Sequence, residues 1–237
     1  MSPKTESPDT GSPVTGTPDT GTPDTGLPNT GTVSASAGRS GHGATHAGTA
    51  ASARERLLAA ANELFYDEGV HTVGIDRVIE KAGVAKASLY NTFGSKNELV
   101  RAYLEGRHAR NSARITKYLE RYTDPREKLL GVFEAKGEMM ADPDYRGCAF
   151  VRASAESPGE AVSRASDAYR DWMRELLTGL ARDAGAADPA ALGRQLQLLY
   201  DGTSVSAQMD RDPTAAVTAR AAAQVLLNAE LAEGRPG

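Results

Sequence analysis

Residues 86–93, KASLYNTF, carry the side chains with the clearest chemical purpose. Leu89 and Phe93 are spaced i and i+4, so on a helix they turn inward together. That leaves Lys86, Ala87, Ser88, Tyr90 and Asn91 facing out. A cation, a hydroxyl, a phenol and an amide on one face can donate to phosphate oxygens and to base edges. A helix this short would be marginal alone. It makes sense as an element held by others and presented to a groove. Lys96 stands in the first turn of the next helix, where a cation is unfavourable for the dipole unless an anion docks beside it.

The elements that must hold this face are legible on both sides. Leu57, Leu58, Ala61, Leu64 and Phe65 form one stripe of a helix over 53–68, which Gly69 ends. Ile75, Val78, Ile79 and Ala82 form the stripe of a second helix over 75–82. Gly74 stands at its N-cap and supplies no side-chain acceptor, and Ala85 is equally bare ahead of the third helix. Ala82-Gly83-Val84 reads as the turn, with Gly83 providing a positive φ and Val84 filling the angle. Ser95 and Glu98 have the spacing of a capping box opening a fourth helix. Residues 75–99 therefore have the layout of a helix-turn-helix.

On these residues the stretch 53–100 resembles the DNA-binding domain of the TetR (tetracycline repressor-like) family of transcriptional regulators. The elements that carry the resemblance are Gly69, the Ile75–Ala82 helix, Gly83-Val84, Leu89-Tyr90, Phe93, Ser95-Lys96 and Glu98-Leu99. The resemblance implies that Lys86, Ala87 and Ser88 meet bases and nearby phosphates. It places Tyr90, Asn91 and Lys96 on the phosphate backbone, and Thr72 ahead of helix two as a further hydroxyl donor. Each has a plainer reading. Tyr90 would serve as a packed surface aromatic, Lys96 as a solvated lysine, and Ser88 or Thr72 as partners of the local backbone.

Beyond residue 100 the pattern is helical throughout, and no stretch alternates with period two. Asp124-Pro125, Asp188-Pro189 and Asp212-Pro213 mark helix starts, since Asp caps and Pro fits the first position. The spacing predicts helices near 99–121, 125–140, 147–155, 160–184, 189–209 and 213–232. In 160–184 the expected inward stripe is Ala161, Ala165, Ala168, Trp172, Leu176 and Leu180. Phe133, Met139, Met140, Phe150, Tyr169 and Trp172 suit an adaptable small-molecule cavity and equally an ordinary core. Leu192, Leu196, Leu199, Thr203 and Ala207, with Ala215, Ala219, Ala222 and Leu226, form stripes on the last two helices. In the family such a final pair packs against its symmetry mate, which makes these residues the expected dimer interface. They would otherwise only close their own domain.

The fold expected is all-α: an N-terminal three-helix helix-turn-helix domain over 51–98 and a helical effector-binding and dimerisation domain over 99–233. Residues 6–31 repeat a Pro- and Thr-containing five-residue unit, and 1–50 as a whole lacks apolar residues enough to bury a face, so a disordered tail is expected there. The chain has 237 residues and net charge −4, with six basic and seven acidic residues in 51–100. DNA binding would then rest on a few placed contacts and on two copies acting together. Absence of a long apolar run argues against a membrane span. The lone Cys148 excludes an internal disulfide and suits a reducing cytoplasm. Arg146 nearby gives slight support to a redox role for that thiol.

No nucleophile elbow, His-x-x-x-His pair in a helix or Gly-rich phosphate loop is present, so neither an enzyme nor a cofactor or metal is expected. His42 and His46 lie in the Gly-rich tail. The expected partners are a double-stranded operator, a second copy of the chain and an unidentified small-molecule effector. The rival reading is a helical small-molecule-binding or interaction module that uses the same fold without DNA.

Overall fold

The computed structural model describes residues 51–212 and 214–233, and all its regular structure there is helical. The expected tail, His42, His46 and Pro213 lie outside the described residues. Helix α1 (Ala53–Glu68) is opened by Ser52, whose Oγ accepts from Glu55 N–H at 3.2 Å while Ser52 N–H donates to Glu55 Oε2 at 2.7 Å. This reciprocal box satisfies two orphan donors of the first turn. Helices α2 (Ile75–Ala82) and α3 (Lys86–Phe93) follow, then α4 (Lys96–Leu119). Leu57, Leu64, Phe65, Val78, Leu89 and Leu99 are buried where these four meet.

The box expected at Ser95 is only half made. Ser95 Oγ accepts from Glu98 N–H at 3.2 Å, but the Glu98 carboxylate pairs with Arg101 at 2.5 Å instead of returning to Ser95. A guanidinium one turn on offers a charge-assisted bond, which is stronger than a neutral N–H can offer.

Helices α5 (Pro125–Met140), α6 (Ala149–Glu156), α7 (Glu160–Asp183), α8 (Pro189–Met209) and α9 (Ala215–Glu233) complete the chain. Asp124 and Asp188 cap α5 and α8 by accepting from Arg126 N–H at 2.7 Å and Ala191 N–H at 2.9 Å. The core of this bundle contains Leu129, Phe133, Met173, Leu177, Leu192, Leu196 and Tyr200. Helices α7 and α8 approach closely because Gly193 carries no side chain: a Cβ there would lie 3.2 Å from the Thr178 backbone. Helix α4 is continuous from the first unit into this bundle, packing on α1 and also on α5 and α7.

Two stripe assignments are corrected. On α7 the buried line is Val162, Ala165, Ser166, Tyr169, Met173, Leu177 and Leu180, so Trp172 sits half-buried at its margin and Ala168 is exposed. The alanines flanking each position gave two nearly equivalent apolar arcs, and Tyr169 and Met173 filled the interior better than Ala168 and Trp172. On α8, Leu192 and Leu196 are fully buried inside the chain's own bundle and present no surface to a second copy. The outward line is Leu198, Gly202, Val205 and Met209, with Leu198 72% and Met209 78% exposed.

Candidate nucleic-acid interface

The turn between α2 and α3 determines what α3 can present. Gly83 adopts φ 61°, its N–H donates to Glu80 O at 3.1 Å, and Val84 N–H donates to Ile79 O at 3.3 Å. This is a Schellman closure, which ends α2 abruptly and satisfies its last carbonyls. Leu89 is then fully buried against the other helices, and Phe93 is half-buried with the Arg54 guanidinium 5.7 Å from its ring centroid. Lys86, Ala87, Tyr90 and Asn91 stand together on the solvent face, with Tyr90 46% exposed.

Ser88 is half-buried on the flank of that face. Its carbonyl accepts the Thr92 hydroxyl at 2.6 Å. Thr72 is exposed in the loop ahead of α2. Gly74 and Ala85 cap their helices without a side-chain bond, as their types dictate.

The cations of this unit fall into two groups. Arg77 pairs with Glu68 at 2.5 Å, Lys81 with Glu63 at 2.5 Å, and Lys86 with Asp76 at 3.0 Å. Arg54, Arg56 and Lys96 make no ion pair among the described residues. Lys96 is half-buried at the start of α4, and burial holds its ammonium below the ordinary lysine range. A phosphate beside that helix terminus would favour its charged form. Lys86 is the reverse case: its bond to the Asp76 carboxylate raises its proton affinity, so it stays charged and tethered to α2.

A cavity of about 1010 Å³ opens between α1, α4, α5 and the segment leading into α6. Met139 and Tyr169 line it, as the cavity reading expects. Phe150 stands behind Tyr169, stacked at 4.2 Å. Phe133 is a core residue, 6.3 Å from Tyr200, and does not line it. Met140 faces a separate recess beside Arg146 and Arg152. Trp172 lies 6.1 Å from Tyr169 and 5.7 Å from His108, outside the lining.

Sequence reasoning missed the polar part of this cavity: Tyr66, Arg107, Arg110, Asn111, Lys136 and Tyr145. One signal was available. Lys136 occupies the stripe Leu129, Val132, Phe133, Lys136 of α5, a lysine at a core-facing position.

The cavity wall also fixes α1 to α4 and to the segment entering α6. Tyr66 of α1 receives Arg146 N–H at 3.0 Å and donates to Gly147 O at 3.1 Å, and the Arg107 guanidinium lies 3.6 Å from its ring centroid. Arg152 of α6 donates to Tyr66 O at 2.6 Å. No group of three or more His, Cys, Asp or Glu among the described residues could hold a metal ion. No helix there is long and apolar enough to cross a membrane.

Residues 57–103 match the family described as "Bacterial regulatory proteins, tetR family". The chain is 34% identical to SCO4454, a TetR-family transcriptional regulator from Streptomyces coelicolor, with TM-score 0.70 over 75% of this chain and 89% of that one. A second structure, a regulator from Streptomyces avermitilis, is also 34% identical, with TM-score 0.67 over 76% of this chain and 98% of the other. Among curated relatives, the transcriptional activator FasR of Mycolicibacterium smegmatis is 42% identical over 35% of this chain and 37% of its own length. The transcriptional repressor KstR2 of the same organism is 34% identical over 38% of this chain and 44% of its own. These two alignments span less than half of each relative.

Proposed function

The chain belongs to the TetR family of transcriptional regulators, and on that premise we propose that it is a homodimeric, effector-responsive repressor of a near-palindromic operator. In this reading residues 51–98 bind DNA, and 99–233 bind the effector and the second copy. The observation that carries it is the open face of α3, where Lys86, Ala87, Tyr90 and Asn91 stand clear of the protein on a helix anchored by Leu89. Ser88 and Thr72 flank it, and Lys96 offers an unpaired cation at a helix start.

Two copies suit the charge. With three of its cations already paired to carboxylates, one head has little counterion release to offer. Dimerisation places two α3 helices in successive major grooves about 34–36 Å apart. Support for a dimer comes from the exposed apolar line Leu198, Val205 and Met209 on α8 with Val217 and Val225 on α9. Leu199, Thr203, Ala215, Ala219 and Ala222 line the groove between those helices, where small side chains permit close approach, whereas Ala207 faces the recess beside Arg146 and Leu226 is half-buried farther along α9.

An effector in the cavity would bear on α1, because α1 supplies one wall through Leu58, Asn62 and Tyr66. It shifts DNA binding only if it prefers one spacing of the heads over the other. The test is affinity for the DNA upstream of the chain's own gene across a salt series. A steep negative log–log slope supports the reading, and Lys96→Ala should lower that slope by about one. Absence of binding at low salt to any native promoter fragment overturns it.

A further inference from the structure

We propose that the cavity between α1, α4 and α5 is built for a small organic carboxylate, held by Arg107 and Lys136. This rests on the effector reading above and names the chemical class of the effector.

Lys136 is 4% exposed, lines the cavity, and makes no hydrogen bond or ion pair among the described residues. Its Nζ lies 4.5 Å from the Tyr200 ring centroid, and Cys148, Asp201 and Tyr66 also favour its charge without bonding to it. A buried ammonium without an acceptor is expensive, and proteins normally pair it or avoid it. Burial accordingly holds its proton affinity below the ordinary lysine range.

Arg107 has the complementary deficit. Its Nε is the one fully buried side-chain nitrogen or oxygen among the described residues with no hydrogen-bond partner. The face of its guanidinium lies on Tyr66, which leaves the N–H edges for an acceptor in the plane. Arg110, also on the lining, is repelled by Arg107 and tied to Asn62. Like charges held together around an empty volume, with unfilled donors, are completed by an anion.

The acids of the lining do not fill that role. Glu63 is paired with Lys81, Asp67 and Asp144 with Arg146, and Asp142 with Arg114, while Glu55 caps Ser52. All five are exposed. They make the rim negative, which disfavours a multiply charged phosphate and leaves a monoanion as the favoured guest. Leu58, Met139, Tyr145 and Tyr169 supply walls for its hydrocarbon or aromatic body.

The test uses the full-length protein with benzoate, phenylacetate, octanoate and decanoate, each beside its primary amide. Thermal melting and calorimetry report binding. The expected result is that at least one acid binds and raises the melting temperature while its amide does so at least about tenfold more weakly, a difference of roughly 1.4 kcal/mol. Arg107→Gln and Lys136→Met should each abolish that preference. Equal binding of acid and amide, retention of the preference in both variants, or no binding by any acid at millimolar concentration overturns the proposal. The wild-type comparison decides the matter even if Arg107→Gln does not fold. Operator binding is measured separately without ligand. Its failure would sink the regulator reading and leave the carboxylate result standing, and the reverse holds equally.

Discussion

The Arg107 guanidinium lies 3.6 Å from the centroid of the Tyr66 ring, so α1 and the long α4 meet at the edge of the cavity. Arg107 thus touches the helix on which α2 and α3 are packed. Tyr66 is also bonded to Arg146 N–H and Gly147 O, which fixes the segment entering α6 to the same point.

That arrangement predicts the effect of removing one oxygen. Tyr66→Phe keeps the ring beneath Arg107 but leaves Arg146 N–H and Gly147 O without their partner. We expect a loss of about 1–3 kcal/mol in urea unfolding, with an unchanged m-value. An unaltered unfolding midpoint would show that water replaces the hydroxyl at no cost.

Asp76 holds Lys86 at 3.0 Å and adds a negative charge beside the reading helix. Asp76→Asn should therefore tighten operator binding several-fold and steepen its salt dependence, because Lys86 is released toward phosphates. In the Lys86→Ala background the gain should shrink to the part due to local charge alone. Anisotropy titrations on the two single variants and the double variant measure the difference.

Lys136 makes a signed prediction about pH. Its folded-state proton affinity is depressed by burial, so between that depressed value and the ordinary lysine value the unfolded chain binds more protons than the folded one. Stability should rise with pH across this window and fall as pH drops through it. Lys136→Met should be more stable than wild type at neutral pH by about 1 kcal/mol or more. The gap should narrow as pH is raised. Melting curves of both proteins at several pH values check the sign, and a gap that widens with pH contradicts it.

Leu198 is 72% exposed at the start of the outward line of α8. Leu198→Asp should leave the monomer's stability within about 0.5 kcal/mol, since the site is solvated there. It should shift sedimentation toward a monomer and weaken operator binding by at least about tenfold. Leu192→Asp should instead unfold the chain, because that side chain is fully buried in its own bundle. A dimer that survives Leu198→Asp places the interface elsewhere.

The helices of this protein were legible because each is punctuated by a local signal. Asp-Pro at 124–125 and 188–189 set the starts of α5 and α8, and Gly83 set the end of α2, from chemistry confined to a few residues. The outward face of α3 was legible for the same reason: Leu89 and Phe93 fix which side is in. Where two apolar arcs competed, periodicity could not choose. On α7 the difference between Trp172 and Tyr169 is one residue of rotation. On α8, Leu192 and Leu199 both look apolar, and only the position of α7 behind Gly193 makes one of them core.

The sequence by itself determined the helices of the described residues and their helix-turn-helix, because capping, turn geometry and amphipathic spacing act over fewer than ten residues. It also placed Lys86, Ala87, Tyr90 and Asn91 on the outward face of α3, but not Ser88 on the flank. Tertiary structure decided the fate of the charges. Lys86 is tethered by Asp76, Lys96 makes no ion pair, and Arg107 and Lys136 meet around one cavity. These groups come from helices distant along the chain, and electrostatic pairing depends on separation in space, which no local pattern records.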